Sequence, residues 1–185
     1  VIVLDATPFR YTNWFGHDFK KVQNYSIENI EVYALHYRGL MTTRLPRLAI
    51  ACYMRKLRIL YNMAVLEHGR PDLLHAHFSF PSGFGAYLLS KENGVPFIVT
   101  EHHSLLLQSK IHPFIRKILN DVVANARKFI CVSDCLLEAI KRLVKSTGRF
   151  CVIPNMINDR FNYFPMPTTR PFVFFSAGGL IKRKG

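Results

Sequence analysis

No apolar run in the 185 residues approaches the roughly 18 that a membrane-spanning helix needs. That excludes a helical span. There is no internal repeat and no low-complexity tract, which excludes solenoid arrays. Neither G-x-G-x-x-G nor a Walker lysine occurs, so neither nucleotide-binding loop is written in its usual form. No RNA- or DNA-binding motif is visible, and no signal-peptide pattern either. Acidic residues are scarce. Asp and Glu number 12 against 25 Lys and Arg, giving a net charge of +13 and a pI near 9.9. Such a balance favours anionic partners: nucleic acid, an anionic membrane or phosphate-bearing substrates. The four cysteines, Cys52, Cys131, Cys135 and Cys151, match no zinc spacing. They read as buried free thiols of a reducing cytoplasm. The sequon Asn24-Tyr25-Ser26 is then coincidental.

What is present is globular: 49% hydrophobic and 20% charged residues, a composition that can bury a core. Val1 to Leu4 reads as a strand ending at Asp5, residues 6 to 29 as irregular, Ile30 to Leu35 as a strand, and Arg38 to Pro46 as a basic loop. From 48 to 67 the residues Ile50, Tyr53, Met54, Leu57, Leu60, Tyr61 and Ala64 recur at helical spacing. Arg55, Lys56 and Arg58 fall on the other side. This basic segment, 44–60, reads either as a membrane-surface helix or as a helix packed on a sheet with a solvated face. Then strands 72–77, 96–100, 128–132 and 150–153 alternate with helices 82–92, 113–126 and 134–145. Ser82 and Ser133 or Asp134 are the expected caps, and Pro113 a first-turn residue. Short β-branched runs alternating with longer periodic helices specify an α/β fold. The expected architecture is a Rossmann-like, doubly wound parallel sheet with right-handed crossovers and helices on both faces. Residues 154–170 read as a linker, and Phe172 to Ser176 as a new strand.

In such folds ligands bind outside the carboxyl ends of the strands. Strand 72–77 ends in His75-Ala76-His77, and strand 96–100 in Thr100-Glu101-His102-His103. Alternate strand residues share a face, so His75 and His77 lie together. His75 reads as a hydrogen-bonded core residue, His77 and His102 as functional. With Glu101 the histidines offer metal-ligand chemistry, which needs three or four convergent groups. Ser82-Gly83-Phe84-Gly85 is open to two readings, a phosphate cradle at a helix start or close packing of helix on sheet.

Taken in order, PDLLHAHFSFPSGFGAYLL, GVPFIVTEHHS, ARKFICVSDCLLEAI, CVIPNMIND and FVFFSAGGLIKRKG resemble the family 4 retaining glycosyltransferases of the GT-B fold. The resemblance covers residues 60–185 most fully. It implies two Rossmann-like domains facing a cleft, the first holding an acceptor and the second a nucleoside-diphosphate sugar, with no cofactor and no metal. The domains implied are 1–165 and, from 166 to 185, a linker and the start of the donor domain. Thr100-Glu101-His102 matches the family's Thr-x-His, which makes His102 the catalytic candidate. Val132-Ser133-Asp134 matches Val-Ser-Asp. Pro154-Asn155-Met156 matches Pro-Asn-Gly, with Met156 in place of Gly. Gly178-Gly179-Leu180 stands where Gly-Arg-Leu is usual, with Gly179 replacing the Arg, and Lys184 matches another phosphate contact. His77, Ser79, Glu101, His103, Ser133 and Asn155 are the expected substrate contacts; Gly178, Gly179 and Lys184 are the expected donor-phosphate contacts. The family's first strand and its Glu-x7-Glu motif would lie before Val1 and after Gly185. The expectation is therefore an internal piece of a longer protein, truncated at both ends and inactive alone. The partners implied are a nucleotide-sugar donor and a glycan or lipid-linked acceptor, with no nucleic acid. The location is cytoplasmic, with peripheral contact at the inner membrane face left open. Two rival classes stay open: a non-enzymatic anion-binding module and a metal hydrolase.

Overall fold

The computed structural model describes residues 2–5, 8–9, 22–35, 37–38, 46–107 and 111–156. The chain divides into two units, Val1–Pro154 and Asn155–Gly185. The domain boundary expected near 165, the strand 172–176 and most of the linker lie outside the described residues.

In the first unit, four strands run β6 (Leu74–His77), β7 (Phe97–Glu101), β8 (Lys128–Cys131) and β9 (Phe150–Val152), in that spatial order and all parallel. The helices between them are α2 (Phe84–Asn93), α3 (Pro113–Asn125) and α4 (Asp134–Leu143). Sequential strand order makes every crossover step the same way, so all three helices pack into one core. That core joins Phe97, Val99, Phe129 and Cys131 of the sheet to Ala86, Ile118, Val122, Leu136 and Ile140. Each fully buried aliphatic or aromatic side chain there contributes roughly 1.5–3 kcal/mol. The strand residues between them, His75, Ile98, Thr100 and Ile130, belong to the opposite face by alternation.

A second sheet has the order β1 (Ile2–Asp5), β4 (Ile30–Ala34), β3 (Gln23–Ile27); β1 is parallel and β3 antiparallel to β4. Segment 23–27 corrects the irregular reading of 6–29. All five of its residues are exposed, so it carries no apolar alternation to read. Its turn is made by Glu28 and Asn29, both at positive φ, the geometry of a two-residue hairpin. A further two-residue pairing joins β2 (Pro8–Phe9) to β5 (Tyr37–Arg38), so Arg38 is strand, not the start of a loop.

Helix α1 (Pro46–His68) ties the sheets together. Leu60 and Ala64 pack on Tyr33 and Leu35, while Tyr53, Leu57 and Tyr61 pack with Leu89 of α2. The Tyr33 hydroxyl donates to Glu67 (2.5 Å) and meets His68 Nε2 (2.8 Å), fixing the end of α1. No helix among the described residues is long and apolar enough to cross a membrane.

The glycines at the start of α2 serve packing. A Cβ on Gly85 would lie 2.7 Å from Leu57 Cδ2 and 2.9 Å from a Tyr53 ring carbon; one on Gly83 would lie 2.9 Å from the Phe78 carbonyl. Gly85→Ala should therefore destabilise the chain by about 1–3 kcal/mol through overpacking. Urea unfolding checks this: the midpoint should fall at unchanged slope, and an unchanged midpoint would show that α1 and α2 are not held this closely. The expected Ser82 cap is absent. Gly83 takes the N-cap position without a side-chain bond, because Ser79–Gly83 is already wound into a turn leading into α2. Ser133 does cap α4, its Oγ accepting from Leu136 N–H (3.3 Å).

The cysteines are all free, but only Cys131 is buried; Cys52 and Cys135 are exposed and Cys151 is half-buried. The uniform buried reading fails because Cys52 and Cys135 lie on the solvent sides of their helices. Burial pushes the Cys131 thiol up to about 12, with Glu101 adding to the effect, which leaves it neutral and unreactive.

Candidate functional site

Parallel register sets His77 opposite Thr100, and the chain continues past Glu101 into His102. Both histidines therefore stand at the carboxyl ends of neighbouring strands. His77 Nδ1 and His102 Nε2 are 3.0 Å apart, and the rings stack with centroids 5.3 Å apart. One of these nitrogens must carry the hydrogen and the other accept it. The nitrogen that His102 has left for a ligand is thus Nδ1. His75 extends the stack, its ring 4.7 Å from that of His77, and bonds Thr100 Oγ1 through Nε2 (2.8 Å). It is hydrogen-bonded, as expected, yet exposed and not in the core. Alternation puts it on the sheet face away from α2–α4.

Burial, followed by the charge of His102, holds His77 below its ordinary value of 6.5. His75, whose ring is partly screened from water by the stack, is lowered first by that desolvation, then by His77 and His102. His75 and His77 are thus biased toward the neutral form, able to exchange hydrogen bonds with hydroxyls. The sign of the resulting pH effect follows. The unfolded chain takes up these protons more readily, so the contribution to stability is present above about pH 6.5 and is lost as pH falls through the lowered folded values. Melting temperature should fall below pH 6.5, and less steeply in His77→Gln; equal slopes in the two proteins over pH 8 to 5.5 would contradict this.

Among the described residues Glu101 is the one charged side chain that is buried, 1% exposed. Its carboxylate accepts from Ser79 N–H (2.7 Å), from the Ser79 hydroxyl and from His103 N–H (2.7 Å). These bonds clamp the loop after β6 to the loop after β7. Glu101 and Ser79, expected as substrate contacts, hold each other. Between them Phe78 adopts φ 69°, costly for a non-glycine residue. It is fixed there by Phe78 N–H donating to Thr100 O (2.8 Å) and Gly83 N–H donating to Phe78 O (2.9 Å). Its ring lies against His102 and His103, at centroid distances of 5.5 and 5.9 Å.

Past Phe78 opens a cavity of about 310 Å³. His103, Ser79 and Glu101 line it; His77 and His102 do not, although one concavity was expected for both. They stand beside Phe78 at the mouth of the β6 and β7 loops instead. Sequence reasoning missed Phe78, His112 and Ile115, which also line it. The signal for Ile115 is its place on the apolar face of 113–126, which reads as core; Phe78 and His112 carry none. Ser133, exposed, stands at the same sheet edge past β8. Asn155 is exposed and belongs to the second unit. Gly178, Gly179 and Lys184 lie outside the described residues. Among the described residues, the three metal-ligating groups that converge are Glu31, Glu67 and His68 at the end of α1; the histidines of the sheet edge do not form such a set.

Residues 11–161 match the sequence profile of Glycosyltransferase Family 4. An uncharacterized glycosyltransferase of Methanocaldococcus jannaschii is 32% identical over 101 residues, 54% of this chain and 28% of that protein. TuaC of Bacillus subtilis, a glycosyltransferase provisionally assigned to teichuronic acid biosynthesis, is 34% identical over 77 residues, 40% of this chain and 19% of that protein. The chain thus matches less than a third of either relative's length. Among solved structures, a sucrose-phosphate synthase of Thermosynechococcus elongatus superposes with a TM-score of 0.53 at 18% identity, covering 74% of this chain and 69% of that one. At that identity the likeness speaks for the fold, a GT-B-type α/β arrangement.

Proposed function

Because the chain belongs to glycosyltransferase family 4, we propose that it forms the acceptor side of an enzyme transferring a sugar, with retention, from a nucleoside-diphosphate sugar to a glycan or lipid-linked acceptor. The observation that carries the reading is the His77–His102 pair, 3.0 Å apart at the ends of adjacent parallel strands. With Nε2 engaged by His77, His102 can offer Nδ1 to a sugar hydroxyl and hold the sugar in place as the diphosphate departs. Glu101 positions the loops that carry both histidines. In the whole protein, Gly178, Gly179 and Lys184 would take the diphosphate, and Asn155 and Ser133 would approach donor or acceptor. The reaction needs no cofactor and no metal. The location proposed is cytoplasmic.

A peripheral membrane contact draws on α1, which exposes Leu48, Ile59, Met63 and Leu66 along with Arg47 and Arg55. The rival, a non-enzymatic polyanion binder, draws only on the +13 charge. The deciding experiment is an assay of the full-length protein with a panel of nucleoside-diphosphate sugars. Acceptor-dependent release of nucleoside diphosphate supports the transferase. No release with any donor, together with steeply salt-dependent polyanion binding, would favour the rival.

A further inference from the structure

The cavity beside Phe78 lies between the turn Ser79–Gly83, the short helix Ser104–Leu107 and α3. Its wall is mainly hydrocarbon, supplied by Phe78, Phe80, Leu106, Ile111, Ile115 and Leu119. Several polar atoms on that wall already have partners in the protein. Glu101 accepts from Ser79 and from His103 N–H, and His112 Nδ1 accepts from Phe114 N–H (3.2 Å). A sugar ring buried here would bring several hydroxyls and find few partners, and each unpaired hydroxyl opposes binding. A hydrocarbon chain gives up no hydrogen bonds on entering and gains burial. The volume, about 310 Å³, lies at the small end of the range for ligand pockets. The cavity adjoins the histidine pair through Phe78, which lines it and whose ring lies against both His102 and His103. The chain as a whole carries a net charge of +13, which favours an anionic ligand.

We propose that this cavity holds the hydrocarbon segment of a lipid-phosphate acceptor, leaving the head group beside His77 and His102. The idea rests on the transferase reading only in calling the ligand an acceptor.

The test is calorimetric titration of this chain with n-alkyl phosphates of increasing length, kept below micelle formation. Each added methylene should tighten binding about fourfold (~0.8 kcal/mol) until the cavity is filled, after which affinity should level off. Inorganic phosphate and methyl glycosides should bind at least about 100-fold more weakly than the best alkyl phosphate, the gain of some three to four buried methylenes. Ile115→Trp, which adds bulk to the lining from a half-buried position, should weaken binding at least tenfold at unchanged melting temperature. Leu66→Asp, on the exposed side of α1, should leave binding unaltered. Should Ile115→Trp fail to fold, methyl NMR of the native chain gives the same decision, since decyl phosphate should shift Ile115, Leu106 and Leu119. Affinity independent of chain length overturns the proposal. So does binding that Leu66→Asp abolishes, or decyl phosphate that leaves those methyls unmoved. Absent alkyl binding in a protein that still glycosylates a water-soluble glycan overturns the cavity's role alone. Chain-length-dependent binding in a protein that transfers no sugar overturns the transferase reading alone.

Discussion

Glu101→Ala is expected to lower the stability of the chain by about 3–5 kcal/mol. Three donors, Ser79 N–H, the Ser79 hydroxyl and His103 N–H, lose their acceptor in a buried place. Each orphaned buried group costs about 1–3 kcal/mol, less where water can enter. Glu101→Gln should fall between, because the amide keeps one acceptor oxygen but presents its NH2 to donors. Urea unfolding of the three proteins gives the answer directly. A loss below about 1 kcal/mol for the alanine variant, within the range of an ordinary surface change, would mean that the two loops are held by something other than this carboxylate. In an assay of the proposed sugar transfer by the full-length protein, both variants should also lose turnover, since Glu101 fixes the loops that present His77 and His102.

His102→Ala, made in the full-length protein, should reduce kcat far more than it weakens nucleotide binding. Loss of a hydrogen bond that strengthens in the transition state costs roughly 2–4 kcal/mol, a fall of about 30- to 1,000-fold. If His102 only packs the loop against Phe78, the variant loses melting temperature and keeps its turnover per folded molecule. Measuring kcat, nucleotide Kd and melting temperature on one preparation separates the two. Near-normal kcat in stably folded protein removes His102 from the site.

The sheet of β6 to β9 was legible because each strand is a short apolar run followed by a periodic helix. That pattern admits essentially one handedness of crossover. The hairpin partner Gln23–Ile27 was not legible. An outer strand exposed along its whole length has no reason to alternate, and Glu28-Asn29 is a quieter turn signal than Asn-Gly. Period two correctly put His75 and His77 on one face. It could not say that this face lies away from the three helices, so His75 was read into the core. The strand-end position of Glu101 was plain, but its role was not. Its partner Ser79 is 22 residues earlier, and only the parallel register brings the two loops together. The cavity was hidden for a related reason. Ile115 and Leu119 sit on the same apolar stripe as Val122 and Val123, and the stripe alone does not tell a packed stretch from one that leaves room for a ligand.

The most direct measurement is a crystal structure of the full-length protein with an intact or slowly reacting nucleoside-diphosphate sugar. The expected result is the transferred sugar ring at the carboxyl edge of β6 and β7, with one hydroxyl about 3 Å from His102 Nδ1. His77 should still be bonded to Nε2 of the same ring. A sugar bound elsewhere, with His77 and His102 facing only solvent in the liganded enzyme, would contradict the assignment of this sheet edge as the place of transfer.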